Sequence, residues 1–595
     1  MKGTSRSLLT VLIPVLTFLS VSELPAQVPE LMPGWPFEVH RDIYPRGPVF
    51  GPVDGVNYFT DPETGFKDMA FEVYDSSFYV IRTDSTVYPG WPVCDTGHAN
   101  PGKHPVGDVN GDGLEEIVVF WYEKTGERRH RLHVLNIFGD DIPGYPKVYK
   151  PGRGHTPCAI SLYDLDEDGK LEIIFAFSND SLLYILDHQG NNFPGSPLSV
   201  SPDTLIEART SIGDLDLDGS PDMVVATYHH LFAWDHLGNW VEGWPVNSPT
   251  GYIVASRGRP VLADVDEDDS LEILVPFVKR GSAGGALYVY THRGTLEDGW
   301  PYVWEESIVR TSPVVGDIDG DNRLDIVVGV LRAYIGPSIY VFNPDGSIKD
   351  GWPIEVEGYC CMEPIIADVD GDGLADIVQA SNAYHTQGDT VRSYFWAFNY
   401  RGEVLDGWPI EVLGFSCETS PQVLDIDNDG YTNLLLTSSG MRELDLSESA
   451  YIWCYDLGIP YNPETIHWDQ YGHDRYCTGN YHFVEPPLTG VYGDKQQKQL
   501  PLQFVLYQNY PNPFNTTTEI SFRILNRAKE GAKLSIYNIR GELIRQLLSA
   551  VKTPGKHSFT WDGKDGGGNS VSSGIYFYKL SAGDFSETKR MVLVK

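Results

Sequence analysis

Cysteine is scarce, with seven in 595 residues. Cys94, Cys158, Cys360, Cys361, Cys417, Cys454 and Cys477 are dispersed, odd in number and without a Cys-x-x-Cys pair, which excludes a disulfide framework. One or two disulfides, with Cys360/Cys361 and Cys417 as participants, remain open beside the alternative of buried thiols. Basic residues are also few, 44 against 82 acidic ones, leaving a formal charge of −38. So negative a chain argues against nucleic acid or an anionic membrane as partner. After the N-terminal segment no run reaches 18 apolar residues, so no transmembrane helix is expected in the mature chain. His-Glu-x-x-His, Walker A, Gly-x-Gly-x-x-Gly and Gly-x-Ser-x-Gly are missing. The 16 histidines are scattered, and the adjacent pair His229-His230 reads as a surface hairpin. No catalytic residue is nominated.

What is present is globular: 41% hydrophobic and 21% charged residues exclude disorder throughout. The 60 glycines and 41 prolines favour short strands and turns over long helices. At the front, Lys2 and Arg6 precede an apolar run from Leu8 to about Val21, followed by Pro25-Ala26-Gln27. That order of charge, short apolar core and small residues predicts a cleaved secretory signal peptide over residues 1–26. No cysteine follows the core, which argues against a lipoprotein anchor.

Seven segments then share one pattern: Asp108-Val-Asn-Gly-Asp-Gly, Asp164-Leu-Asp-Glu-Asp-Gly, Asp214-Leu-Asp-Leu-Asp-Gly, Asp264-Val-Asp-Glu-Asp-Asp, Asp317-Ile-Asp-Gly-Asp-Asn, Asp368-Val-Asp-Gly-Asp-Gly and Asp425-Ile-Asp-Asn-Asp-Gly. Their first aspartates are 56, 50, 50, 53, 51 and 57 residues apart. Gly-Trp-Pro recurs out of phase at Trp35, Trp91, Trp244, Trp300, Trp352 and Trp408, with degenerate copies Gly144-Tyr-Pro and Gly195-Ser-Pro. The second marker therefore turns eight times against seven for the first. Pro52-Val53-Asp54-Gly55 stands in register 54 residues before Asp108, and Lys67-Asp68-Met69-Ala70-Phe71 resembles the strand after a loop, so a first unit exists with its loop rebuilt. Units of about 53 residues account for 28–484.

Within a unit, Ser312-Pro-Val-Val-Gly, Asp325-Ile-Val-Val-Gly-Val, Ser338-Ile-Tyr-Val-Phe-Asn and Gly351-Trp-Pro-Ile read as four short antiparallel strands, the size of one propeller blade. Proline suits an outermost strand with a free edge, and the tryptophan is expected to cover the blade junction. The fold class is all-β: an eight-bladed β-propeller, seven-bladed if the irregular first unit does not close. Gly34-Trp35-Pro36-Phe37 precedes any complete unit, and none follows the last, so the N-terminal strand is expected to complete the last blade beside a strand at about Tyr451–Tyr455. Trp468 to Tyr481 is expected to finish the ring.

In Asp-x-Asp-x-Asp-Gly, oxygen ligands stand at positions 1, 3 and 5 and a turn residue at 6 folds the chain back. A carbonyl at 7 and a carboxylate at 9 complete the oxygen-rich shell that Ca²⁺ prefers. The ligand sets are Asp108, Asn110, Asp112 and Glu116; Asp164, Asp166, Asp168 and Glu172; Asp214, Asp216, Asp218 and Asp222; Asp264, Asp266, Asp268 and Glu272; Asp317, Asp319, Asp321 and Asp325; Asp368, Asp370, Asp372 and Asp376; and Asp425, Asp427 and Asp429. Asn433 at position 9 predicts a weaker seventh site. Asp269 and Asn322 replace glycine at position 6, and both residue types tolerate the left-handed conformation. β-Branched flanks such as Ile117-Val-Val, and no glutamate at position 12, exclude EF-hands. These positions hold 26 carboxylates, and like charges ~4 Å apart repel by about 4 kcal/mol at an effective dielectric of ~20. About seven structural Ca²⁺ ions would bring −38 to −24.

At these loops the chain resembles the FG-GAP/VCBS repeat family, which includes integrin α-subunit propellers. The resemblance covers about three quarters of the chain and implies calcium as a structural ion. The literal Phe-Gly and Gly-Ala-Pro elements are mostly absent, so it gives little support to integrin-like adhesion.

Residues 485–502 form a Pro/Gln/Lys-rich linker. From 503 to 595, alternating segments Glu519-Ile-Ser-Phe-Arg, Lys533-Leu-Ser-Ile-Tyr-Asn and Gly574-Ile-Tyr-Phe-Tyr-Lys-Leu predict a small Ig-like β-sandwich. Asn509-Tyr-Pro-Asn-Pro-Phe-Asn, Ile536-Tyr-Asn-x-x-Gly, Trp561-Asp-Gly and Ser573-Gly-Ile-Tyr-Phe resemble, in order, the type A C-terminal sorting domain of type IX secretion substrates. That resemblance implies passage through the type IX machinery, removal of the domain, and release or attachment at the outer surface. The alternative is a plain accessory sandwich of the flagellar-hook-cap type.

The segments joining each outer strand to the next inner strand carry Lys103 and His104, His155, Arg209, Arg259, Arg310, Glu363 and Glu418. Lys103, Arg209, Arg259 and Glu363 each stand five residues before a first loop aspartate and are expected to form a ring near the axis. Such a ring would take an anionic ligand, for instance an acidic glycan, or make salt bridges between blades. Two functions follow. One is a non-catalytic binding or scaffold propeller with a glycan or surface protein as partner. The other, by fold analogy alone, is a calcium-dependent glycan-active enzyme of the polysaccharide-lyase kind.

Overall fold

The strands Glu172–Ala176 and Asp222–Ala226 are buried at every position. A strand enclosed on both faces reads as a continuous apolar run rather than an alternating one. Such central strands recur throughout the computed structural model of the chain. It describes residues 29–484 and 504–594 apart from internal stretches, of which the longer are 41–52, 100–103, 124–128, 151–159, 204–209, 333–337, 384–391, 415–419, 440–448 and 525–531. The expected signal peptide and linker lie outside the described residues. Among those described, the helical content is one 3-10 turn, Pro463–Thr465, and no helix is long and apolar enough to cross a membrane.

Ser161–Tyr163, Glu172–Ala176, Leu182–Leu186 and Leu198–Ser199 pair antiparallel in chain order. Seven other units repeat this plan, with innermost strands Val53–Thr60, Val106–Gly107, Ser211–Gly213, Val261–Ala263, Val314–Gly316, Ile365–Ala367 and Gln422–Leu424. The first unit differs from its expectation in one respect. Val53, Asp54 and Gly55 are strand, and the rebuilt turn comes later, between Thr60 and Lys67. In the last unit, Glu30–Leu31 and Phe37–His40 pair with Ser449–Pro460, so the N-terminal strand does complete the final sheet. A shared core of Met69, Phe71, Leu424, Ile426, Leu435 and Ile452 then joins the last unit to the first.

The Gly-Trp-Pro marker is the fastening between units. Trp35, Trp91, Trp244, Trp300 and Trp352 are buried and donate their indole N–H to turn carbonyls of the next unit, at Thr83, Ile137, His292, Pro344 and Tyr400, over 2.6–3.1 Å. Glycine precedes tryptophan for a steric reason. Gly299 has φ +90°, and a Cβ there would lie 2.0 Å from the Asp345 carbonyl oxygen of the next unit.

Residues 465–483 do not finish the ring as expected. Their backbone meets the innermost strands one after another: Arg475 accepts from Val106, Tyr476 from Leu162, Thr478 from Ile212 and Gly479 from Leu262. Asn57 of the first unit donates to the Arg475 carbonyl, Val423 of the eighth to that of Asp469, and Ile366 of the seventh pairs with Trp468. In the sixth, a Cβ on Gly316 would lie 2.6 Å from His467 Cβ. One 19-residue segment touching the innermost strand of all eight units lies at their common centre, so the chain supplies its own axle. Gly107 and Gly213 leave room for it. A Cβ at these positions would lie 2.2 Å from the Tyr476 ring and 2.8 Å from Asn480 Nδ2.

The C-terminal unit packs Phe504–Leu506, Thr518–Ile524 and Gly555–Trp561 against a second sheet of Leu543–Val551, Ala532–Asn538, Gly574–Ala582 and Phe585–Leu593. Ile520, Phe522, Trp561, Leu534, Ile536, Tyr578 and Met591 share its core, giving the expected sandwich.

Candidate metal centres

Each acidic loop is the hairpin between an innermost and a second strand. Tyr163 pairs with Glu172, Gly213 with Asp222 and Gly316 with Asp325. Positions 1 and 9 therefore stand together at the hairpin mouth. The position 1 carboxylate folds the turn around itself, accepting from the position 6 N–H at 2.8–3.1 Å in all seven loops. Position 5 accepts from the N–H of position 7, at 2.8–2.9 Å. Position 6 has positive φ throughout, including Asp269 at 70° and Asn322 at 65°.

Position 9 carries the electrostatic argument. Glu116, Glu172, Asp222, Glu272, Asp325 and Asp376 are 1–2% exposed, and each accepts one N–H from position 2 at 2.8–3.4 Å. Neutral donors of this kind, joined at Glu116 by the Asn110 amide and at Asp222 by the Asp216 N–H, do not offset the burial of a full negative charge, and Asp325 accepts from the Lys349 ammonium as well. Burial, with the neighbouring loop aspartates adding to it, pushes Glu116 up to about 9 and Glu172, Glu272 and Asp376 to about 8. Asp222 rises to about 7 for the same reason. Asp325 rises only to about 6, because the Lys349 ammonium opposes its burial.

Carboxylate oxygens of Asp164, Asp166 and Glu172 lie within 4.8 Å of one another, as do those of Asp264, Asp266 and Glu272, and of Asp368, Asp370 and Asp376. Asp214, Asp216 and Asp218 converge within the same limit, as do Asp317, Asp319 and Asp321. All-oxygen donors around a buried charge fit the calcium that the resemblance implies. In the seventh loop Asp427 and Asp429 are buried, and Asn433 accepts from Ile426 while its amide nitrogen lies 3.6 Å from Met32 sulfur.

The ring of polar residues at the other end is not an open face. Arg259 and Glu363 are 1% and 0% exposed because the axle fills the space they border. Arg259 donates to the Cys477 carbonyl, while Glu363 accepts from Ser312 Oγ at 2.8 Å and from the Gly472 N–H at 3.1 Å. Both are axle contacts, which corrects their expected role as ligand-facing groups. Lys103, Arg209, His155, Arg310 and Glu418 lie outside the described residues, as do Cys361 and Cys417; Cys360 is buried. His229 is exposed at the turn before His230–Asp235, as a surface hairpin requires. The axle itself was not foreseen as a site. Where it meets the loop face, His467, Tyr481 and His482 line a pocket of about 330 Å³ with Asp264 and Asp317.

The FG-GAP-like repeat family matches residues 164–225 and 214–275, across the loops that begin at Asp164, Asp214 and Asp264, and the FlgD Ig-like domain family matches 509–584. No curated protein matches the chain. Similar solved structures include BamB from Moraxella catarrhalis, 11% identical over 69% of this chain and 99% of that one, with a TM-score of 0.36. PorZ, a surface component of the type IX secretion system of Porphyromonas gingivalis, is 13% identical over 92% of this chain and 76% of its own, with a TM-score of 0.29. Regucalcin from Agrobacterium tumefaciens, described as a calcium-binding protein, is 11% identical over 58% of this chain and 88% of its own, with a TM-score of 0.26.

Proposed function

We propose that this β-propeller with FG-GAP-like repeats is an exported, calcium-stabilised binding or scaffold protein without catalytic activity, working at the bacterial cell surface or outside the cell. The observation that carries the reading is the burial of the position 9 carboxylates Glu116, Glu172, Asp222, Glu272 and Asp376 beside further loop carboxylates, charges that a bound cation neutralises without a proton. Ligands committed to an ion are poor general acids, and Arg259 and Glu363 are spent on the axle. The signal peptide, type IX machinery and sorting role rest on the sequence resemblance, with FlgD-like Ig architecture as their frame. In the sandwich the Asn509 amide donates to Thr518, and Asn512 accepts from the Val592 N–H, so this motif also latches the domain's first segment to its last strand.

The test combines metal analysis with a glycan array and an ultraviolet assay for unsaturated sugars. Binding without turnover, by a protein that takes up calcium in equilibrium dialysis against millimolar calcium, supports the proposal. Unsaturated product would replace it with the polysaccharide-lyase reading.

A further inference from the structure

One register position recurs three residues before each Trp, Tyr or Ser of the Gly-x-Pro marker. Met32, Tyr88, Ile142, Phe193, Val241, Glu297, Lys349 and Leu405 each donate their backbone N–H to the third strand of a unit, at Cys454, Val80, Val134, Ile185, Ala233, Val289, Val341 and Ala397. In the last unit the side chain there meets position 9 of the loop, where Asn433 Nδ2 lies 3.6 Å from the Met32 sulfur. Six of the eight are apolar or aromatic, and all six are buried. The chain breaks this rule with a cation at Lys349. Its Nζ lies 2.7 Å from Asp319 Oδ2 and 2.8 and 2.9 Å from the two oxygens of Asp325. The lysine side chain is 11% exposed and the Asp325 side chain 3%, so this is not a screened surface pair.

We propose that the Asp317–Asp325 loop carries its own cation, the Lys349 ammonium, in place of calcium. The proposal rests on the calcium reading of the other loops and departs from it at this one. An ammonium between positions 3 and 9 takes the two carboxylates that a calcium ion there would need, and places a positive charge where the ion would sit. The same register position is Glu297 in the preceding unit, so there the chain offers a carboxylate where the next unit offers an ammonium. Loop sequence alone does not separate these two, because both have four acidic ligands.

The test is an anomalous difference map of full-chain crystals soaked in terbium, a calcium substitute with strong anomalous scattering. The wild type is expected to give peaks at the Asp164, Asp214, Asp264 and Asp368 loops and none at the Asp317 loop, and Lys349→Met is expected to gain a peak there. A wild-type peak at the Asp317 loop of height equal to the others overturns the proposal alone. Absence of peaks at every loop overturns both it and the calcium reading. If Lys349→Met does not fold, the wild-type map decides by itself.

Discussion

His104 shows how one residue's environment sets a pH limit. It is 2% exposed and packs edge-on against Phe78 with ring centroids 4.9 Å apart, and burial pushes its imidazole down to about 3. The neutral form is the folded form. Because its folded value lies below the unfolded ~6.5, its contribution is complete above that pH and is lost as pH falls toward 3. At pH 4.5 the loss is about 3 kcal/mol. His104→Gln is therefore expected to lose less stability than the wild type between pH 7 and 4.5, whatever its stability at pH 7. Equal slopes in paired denaturant titrations would show that His104 protonates freely. In the sequence it stands beside Lys103 in the segment that joins an outer strand to the next inner one. The sequence does not reveal that the His104 ring packs against Phe78.

At the scale of elements, the repeat was legible because each loop is a local device: seven consecutive residues hydrogen-bond among themselves and leave a fixed pattern of Asp and Gly. The strands beside them were legible for the same reason, and the tryptophan bolts because Gly-Trp-Pro recurs once per unit, although each reaches a carbonyl 44–48 residues away. Trp300→Phe keeps the ring but loses the indole N–H to Pro344, and is expected to cost about 1 kcal/mol. Gly299→Ala places a Cβ against the Asp345 carbonyl in a left-handed conformation and is expected to cost more. Equilibrium unfolding of the two variants checks the order; a Gly299→Ala protein as stable as the wild type would mean that the neighbouring turn yields freely. The axle left no such trace. Its partners are up to 418 residues away, as between Asn57 and Arg475, and it follows no period. Its one local sign is the small residue before several loop aspartates, Gly107, Ala263, Gly316 and Ala367 among them, which has meaning only once Tyr476 and His467 are seen to need the space.

The axle makes a prediction for the ring as a whole. Gly107→Ala should strain the contact with Tyr476, and Tyr476→Ala in the same chain should relieve part of that strain, so the double variant loses less than the sum of the singles. Additive losses would place the two residues in separate structural roles. The buried Arg475–Glu115 ion pair ties the same axle to the first acidic loop, so ring centre and loop face are mechanically joined.

On the largest scale, the account holds that cations clamp the hairpin loops and thereby the propeller. Five independent sites of ~10⁻⁴ M affinity and a weaker one of ~10⁻³ M at the Asp425 loop, in millimolar calcium, add about 8 kcal/mol. A folded part of roughly 450 residues has an unfolding entropy near 1 kcal/mol per degree. Calorimetric melts of the full chain in millimolar calcium and in excess EDTA measure the difference directly. The transition is predicted to fall by about 8 °C in EDTA and to recover when calcium is restored; superimposable melts would contradict the account.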